Sequence, residues 1–199
     1  MKVDYRRKIQ AIAKEQRIEF LLHFTQAANL PGIVKHGILP RRELEKPIHL
    51  AHASDKYRLD DNQDAVSVSI SRINEAMFLS KRIKSGHDNW LILGLQPEIL
   101  WTHNCRFCWR NAARKEIKIH RWLGGPWAFA KMFAREDGLE SQLPVNFPTD
   151  PEAEVQVLEP ISPEYIFGAI VNQPRLVEPV QELLKELLGD SPLVLVEDF

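Results

Sequence analysis

The sequence predicts an α+β domain built on a mixed or antiparallel sheet. Short apolar or alternating runs recur along the chain, at "FLLHFT" (20–25), "AVSVSIS" (65–71), "WLILGL" (90–95), "EVQVLE" (154–159), "GAIVN" (168–172) and "PLVLVED" (192–198). Runs with a helical period lie between them. The two kinds do not alternate in the regular strand–helix–strand rhythm of a parallel sheet. A chain of 199 residues has the length of one domain, read here as 1–199.

The elements follow in order. Residues 2–18 form a basic helix with Ile9, Ile12 and Ala13 on one stripe. After the strand at 20–25, "QAANLPGIVKHG" is a helix, with Asn29 as cap near Pro31 and Gly37 as its stop. Residues 38–64 are polar and irregular, a length that in a compact domain marks a functional or mobile loop. In the strand at 65–71, Val66, Val68 and Ile70 alternate with Ser67, Ser69 and Ser71, the period of a half-buried strand. "INEAMFLSKRIKSG" is a helix with Ala76, Met77 and Ile83 apolar, ending at Gly86. "PEILWTHN" is a short helix or turn. "AFAKMFARE" is a helix entered through the Gly124-Gly125-Pro126 turn. "LVEPVQELLKELLG" is amphipathic through Leu183, Leu184, Leu187 and Leu188.

Composition narrows the classes. Hydrophobic residues make up 44% and charged residues 27%, which is ordinary for a globular chain. No apolar run approaches the ~20 residues of a membrane span, so no membrane partner is expected. "MKVDYRRKIQ" lacks the apolar core of a secretory signal, and two cysteines are too few for a disulfide framework, so the expected setting is cytoplasmic. The net charge of −1 hides a polarity: residues 1–135 hold 24 Lys+Arg against 13 Asp+Glu, and residues 136–199 hold 2 against 14. The basic part suits a polyanion; equally, the two parts suit each other.

Four clusters carry candidate chemistry. His23 and Thr25, two apart on a strand, project to one face and suit a ribose or an amide. Arg72, at a strand end, and Arg82, on the following helix, can fork a phosphate or a carboxylate. In "HNCRFCWRNAARKEIKIHR", Phe107, Trp109 and Trp122 are interleaved with Arg106, Arg110, Arg114, Lys115, Lys118 and Arg121. Aromatics can stack on unpaired bases while cations hold phosphates; the alternative is a basic surface helix. His103, Cys105, Cys108 and His120 in the same stretch lack the spacing of a zinc site, and no metal is expected. Finally, "FPTDPEAEVQVLEP" (147–160) places Glu152 and Glu154 on one face of an alternating strand, behind a loop stiffened by Pro148 and Pro151. P-loop, dinucleotide, Gly-x-Ser-x-Gly and His-Glu-x-x-His motifs do not occur.

Taken in order, "LLHFTQAANLPGIVKHGIL", "VSVSISRINEAMF", "FCWRNAA", "MF" and "PTDPEAEVQV" resemble the DarT family of NAD-dependent DNA ADP-ribosyltransferases, across most of residues 20–171. The forms of "NAA" and "PTDPEAEV" look closer to the guanine-modifying branch than to the thymine-modifying one. The resemblance implies an ADP-ribosyltransferase-like split antiparallel β core with flanking helices, and NAD as co-substrate. It implies Glu154 as the catalytic glutamate and Arg72 as the arginine beside the target base. It puts NAD against His23, Phe24 and Thr25, with Gly32, Leu39 and Arg82 as further contacts. Glu152, Phe107, Trp109 and Arg110 would face the acceptor, a base in single-stranded DNA. Glu152 stands where members often carry Gln, and a Glu-x-Glu pair accompanies arginine acceptors in protein-modifying relatives; RNA or protein arginine is therefore the alternative acceptor. The same resemblance implies a toxin with a macrodomain antitoxin as partner, acting in phage defence.

Overall fold

The structure is a computed structural model that describes residues 3–44, 64–120, 122–135 and 143–199. Its strands are β1 (Leu21–Gln26), β2 (Val66–Ile70), β3 (Trp90–Leu95), β4 (Cys105–Cys108), β5 (Glu154–Val157), β6 (Ile166–Val171) and β7 (Leu193–Val196). Its helices are α1 (Val3–Glu15), α2 (Leu30–His36), α3 (Arg41–Leu44), α4 (Glu75–Ser85), α5 (Ile99–Thr102), α6 (Lys115–Lys118), α7 (Pro126–Lys131) and α8 (Val177–Leu188). The strands form one sheet in the order β4-β5-β2-β1-β3-β6-β7. Every neighbouring pair is antiparallel except β6 and β7, which run parallel. The α+β class with an antiparallel core is therefore as the sequence predicts. Most of the irregular stretch read over 38–64, from residue 45 to 63, lies outside the described residues, as do Arg121 and the end of the 128–136 run.

The register fixes two faces, because directly paired residues share a face and alternate ones do not. Leu21, Leu93, Val68, Val155 and Phe107 fall on one face. They are buried in the main core. The Phe107 ring meets Phe129 of α7 at 4.6 Å, and α1 packs across α5 and α7 on that side through Ile9 and Ala13. Leu22, Phe24, Ser67, Ser69 and Gln156 fall on the other face. There Phe78 of α4 packs edge-on against Phe24 and Trp90.

The sheet is partly split. β1 is paired with β3 along its whole length but meets β2 at Leu21↔Ile70 and Leu22↔Ser69, and the two strands part beyond that point. A parted ladder leaves backbone groups to be satisfied otherwise. One is the Ser67 carbonyl, which accepts a hydrogen bond from the His23 ring at 2.9 Å.

Several local expectations change. The strand expected from Glu152 begins at Glu154; Glu152 sits in the preceding turn. β2 and β5 are covered on both faces, not half-buried: Ser69, Ser71, Glu154 and Gln156 are all buried. Alternation of polar and apolar residues reads as exposure only where water lies on the polar side, and here the polar side is buried as well. α4 buries Phe78 and leaves Ile83 71% exposed, so the apolar stripe assigned to Ala76, Met77 and Ile83 is not its packing face. Asn29 precedes α2 but does not cap it through its side chain; its Nδ2 donates to Thr25 Oγ1 at 3.0 Å. The basic stretch after His103 is not one surface helix, because Cys105–Cys108 adds the edge strand β4.

Candidate active site

Glu154 opens β5, and its neighbour Val155 is paired with Val68 of β2. One step on, Glu154 stands level with Ser69, the residue at which β1 and β2 part. On its other side it is paired with Cys108 of β4. Its carboxylate is buried with 9% of the residue exposed, and Oε1 accepts from the backbone N–H of Ala112 at 3.1 Å. Asn111 Oδ1 accepts from the Ala113 N–H at 2.9 Å, closing the turn that presents the Ala112 donor. Gln156, two residues along the same face and fully buried, accepts from Arg106 Nη1 at 2.9 Å. The site thus has a fixed carboxylate on the strand next to the edge of the sheet.

His23 lies on β1, next to the last residue paired with β2. A carbonyl can only accept, so Nδ1 must be the donor toward Ser67, and Nε2 is the acceptor atom of the neutral ring. Glu154 and His23 lie on strands separated by β2 in the sheet, and by the register His23 takes the face of Leu93 while Glu154 takes that of Gln156. Thr25 follows on β1, its Oγ1 held by Asn29. Phe24 lies against Phe78 and Trp90, with Lys81 Nζ 5.4 Å from its ring centre.

Arg72 follows β2 immediately after Ser71, whose φ of 58° turns the chain. Arg72 Nη2 donates to the Pro148 carbonyl at 2.8 Å, and the guanidinium sits over the Phe147 ring at 5.1 Å. It therefore holds the Pro-stiffened loop. Its Nε and the Ser71 hydroxyl are buried without a partner among the described residues. Thr149 anchors the same loop from the other side, through Thr149 N to Met132 O at 2.8 Å and Oγ1 to Ala134 O at 2.9 Å.

The remaining candidates disperse. Glu152 Oε2 accepts from Arg114 Nη2 at 2.8 Å, and its N–H donates to Asp150 Oδ1, so the carboxylate is occupied as a tether of the turn. Arg110 is paired with Glu116 at 3.0 Å and lies 3.7 Å from Asp150. Phe107, expected to face a bound strand, is fully buried, because its side of β4 faces α7. Trp109 is nearly buried under the ammonium of Lys131, 4.0 Å from its ring centre. Arg82 bonds the main-chain oxygen of Phe199, whose ring packs on Phe78. Gly32 is exposed on α2, and a Cβ there would meet nothing within 4 Å. Leu39 is half-buried beside the Ile38–Ile161 bridge. Burial pushes the Cys105 thiol well above its ordinary range and holds His103 below its own. Among the described residues no group of three or more His, Cys, Asp or Glu is placed to hold a metal ion. The Ala112 donor was not foreseen as a site group; backbone N–H groups carry no side-chain signal.

The sequence model of a family described as "ssDNA thymidine ADP-ribosyltransferase, DarT" matches residues 22–198. The chain belongs to the DarT family. As such it is an NAD-dependent ADP-ribosyltransferase. Solved DarT structures share the fold at low identity. Thermus sp. 2.9 DarT in complex with ADP-ribosylated ssDNA aligns with a TM-score of 0.61 at 16% identity, over 92% of this chain and 95% of that one. The same protein in complex with NAD+ aligns with a TM-score of 0.59 at 16% identity, over 90% and 96%. Thermosipho africanus DarTG in complex with ADP-ribose gives 0.52 at 16% identity over 90% of this chain, which spans 50% of that chain's length. No curated protein shows significant similarity in sequence.

The family match corrects the expected guanine-modifying branch: the family's description names thymidine. The two motifs behind that expectation have structural roles. "NAA" shapes the turn that bonds Glu154, and "PTDP" anchors the loop to Arg72, Met132 and Ala134. Neither reports the base. Among the described residues no helix is long and apolar enough to cross a membrane.

Proposed function

We propose that this chain transfers ADP-ribose from NAD to thymidine in single-stranded DNA, with Glu154 as the catalytic carboxylate. The carrying observation is Glu154 itself, buried on β5, bonded by Ala112 N–H and level with the parting of β1 and β2. The reaction breaks the bond between nicotinamide and ribose C1′ and forms one from C1′ to a base nitrogen. Nicotinamide leaves with the bonding pair, and the base nitrogen gives up its proton. The ribose passes through a cationic, oxocarbenium-like state. A carboxylate already fixed beside that charge stabilises it more than the ground state, with little reorganisation.

The residues present fit NAD as substrate. The gap between β1 and β2 offers the His23 ring and the Thr25 hydroxyl to a ribose and an amide, an arrangement that raises the population of reactive geometries. The buried Ser71 hydroxyl and Arg72 Nε lack protein partners among the described residues, and buried donors without partners suit an acceptor brought by substrate. Arg72 stations the Phe147–Asp150 loop as the lip that meets the target base. A base must leave its stack to react, so a single strand is the cheapest acceptor.

Residues 1–199 act as one domain in this reading, which the single sheet of seven strands supports. The protein works in the cytoplasm as the toxin of a toxin–antitoxin pair, with a macrodomain antitoxin as partner. Labelled NAD incubated with thymine-containing and thymine-free oligonucleotides tests the activity. Label is expected on the thymine-containing strands alone, and Glu154→Gln is expected to lower the rate by about 10²–10³-fold, the scale of losing one charge-stabilising group. Label on protein with none on DNA would refute the reading.

A further inference from the structure

We infer that Trp122 and Trp127 form a stacking platform for the nucleotides flanking the target base; this rests on single-stranded DNA being the acceptor. Phe107 and Trp109 are turned inward, yet the same basic segment exposes two other indoles. Trp122 is 79% and Trp127 56% exposed, whereas Trp90 and Trp109 are buried. Large exposed aromatics grouped on one segment mark contact surfaces.

The Trp127 ring is held in place before any ligand arrives. His120 stacks on it at 5.4 Å with 19° between planes, the Trp109 edge lies at 5.6 Å, and Lys131 Nζ is 5.1 Å from its centre. A ring fixed by protein neighbours loses little freedom when a base packs against its exposed part. Ile119, 69% exposed, adds apolar surface to the same segment.

Position connects the platform to the site. Trp109, in contact with Trp127, follows Cys108, the strand partner of Glu154. α7 begins with Pro126 and Trp127, and the carbonyls just past its end hold Thr149 of the target-base lip. Residues 105–131 carry seven Lys+Arg and one carboxylate, Glu116; Arg110 and Arg114 are engaged by Glu116, Asp150 and Glu152, and exposed Lys115 and Lys131 remain to favour a polyanion. Bases with π faces and phosphates between them match an alternation of indole and cation.

Fluorescence anisotropy with a labelled, thymine-free single strand tests the platform apart from the chemistry. Wild type is expected to bind, and Trp122→Ala, which removes an exposed ring, to bind about ten-fold more weakly. Trp127→Ala should weaken binding to a similar extent and Trp127→Phe should restore most of it, while the NAD-induced thermal shift stays as in wild type. Unchanged affinity in Trp122→Ala and Trp127→Ala, or no binding by wild type, would overturn the platform even if thymidine transfer proceeds. Tryptophan-dependent binding without any transfer to DNA would keep the platform and remove the proposed activity instead.

Discussion

At the scale of single residues, the difference between Glu154 and Glu152 is one of surroundings. Both are glutamates two positions apart. Glu154 is buried, on a strand, with a backbone N–H as its partner. Glu152 is in a turn and holds Arg114, whose guanidinium is solvent-exposed. An ion pair of that kind contributes about 0–1 kcal/mol. Glu152→Gln is therefore expected to leave transfer to DNA within a few-fold of wild type, measured by initial rate. A loss comparable to that of Glu154→Gln would assign Glu152 to the chemistry. His23→Ala is expected to diminish the NAD-induced thermal shift and to cut kcat/KM by about ten-fold or more, since it removes a positioned contact. A carboxylate pair behind a Pro-stiffened loop stands out in the sequence, and the structure finds its two members in unlike surroundings. That difference was not legible, because Arg114, the partner of Glu152, lies 38 residues away in the chain.

At the scale of elements, what a segment packs against decided which sequence readings held. β3 and α8 followed their periodicity, since an apolar strand and an apolar helix stripe each have one way to bury. β4 did not declare itself: four residues, Cys-Arg-Phe-Cys, are too few to show a period, and so Phe107 read as a surface aromatic. α4 misled for another reason. It rests on the sheet through Phe78, and its ends are set by Asn74 Oδ1 accepting from Met77 N and by Gly86 in the left-handed region, so Ile83 can face water. The 147–151 loop makes a prediction at this scale. Arg72→Ala deletes a charge-assisted bond to Pro148 O and a cation–π contact with Phe147, a local loss of about 1.5–3 kcal/mol. Hydrogen exchange at Phe147 to Asp150 should accelerate while β1 and β3 amides stay protected. Unchanged exchange in the loop would show that Thr149 alone holds it.

Across the whole molecule, the charge polarity of the sequence serves two ends at once. Part of it is neutralised internally, where Arg114 and Arg110 of the basic portion meet Glu152 and Asp150 of the acidic one. Part remains outward, as in exposed Lys115 and Lys131. Composition alone does not divide the two, because that division depends on which loops the sheet brings together. A phosphate-binding surface also has a salt signature: DNA affinity should fall steeply between low and moderate salt, while NAD binding changes little. The fold class and the family were legible across most of the chain, since the ordered motifs sit on β1, β2, β4 and β5 around one parting in the sheet. The base was not, because motifs that build a turn or pin a loop carry no record of what the loop reads. Mass spectrometry of nucleosides released from a mixed-sequence single strand, after incubation with NAD, tests the central claim most directly. ADP-ribosyl-thymidine formed by wild type and absent with Glu154→Gln is the result predicted; ADP-ribose on guanosine, or on no nucleoside at all, would contradict it.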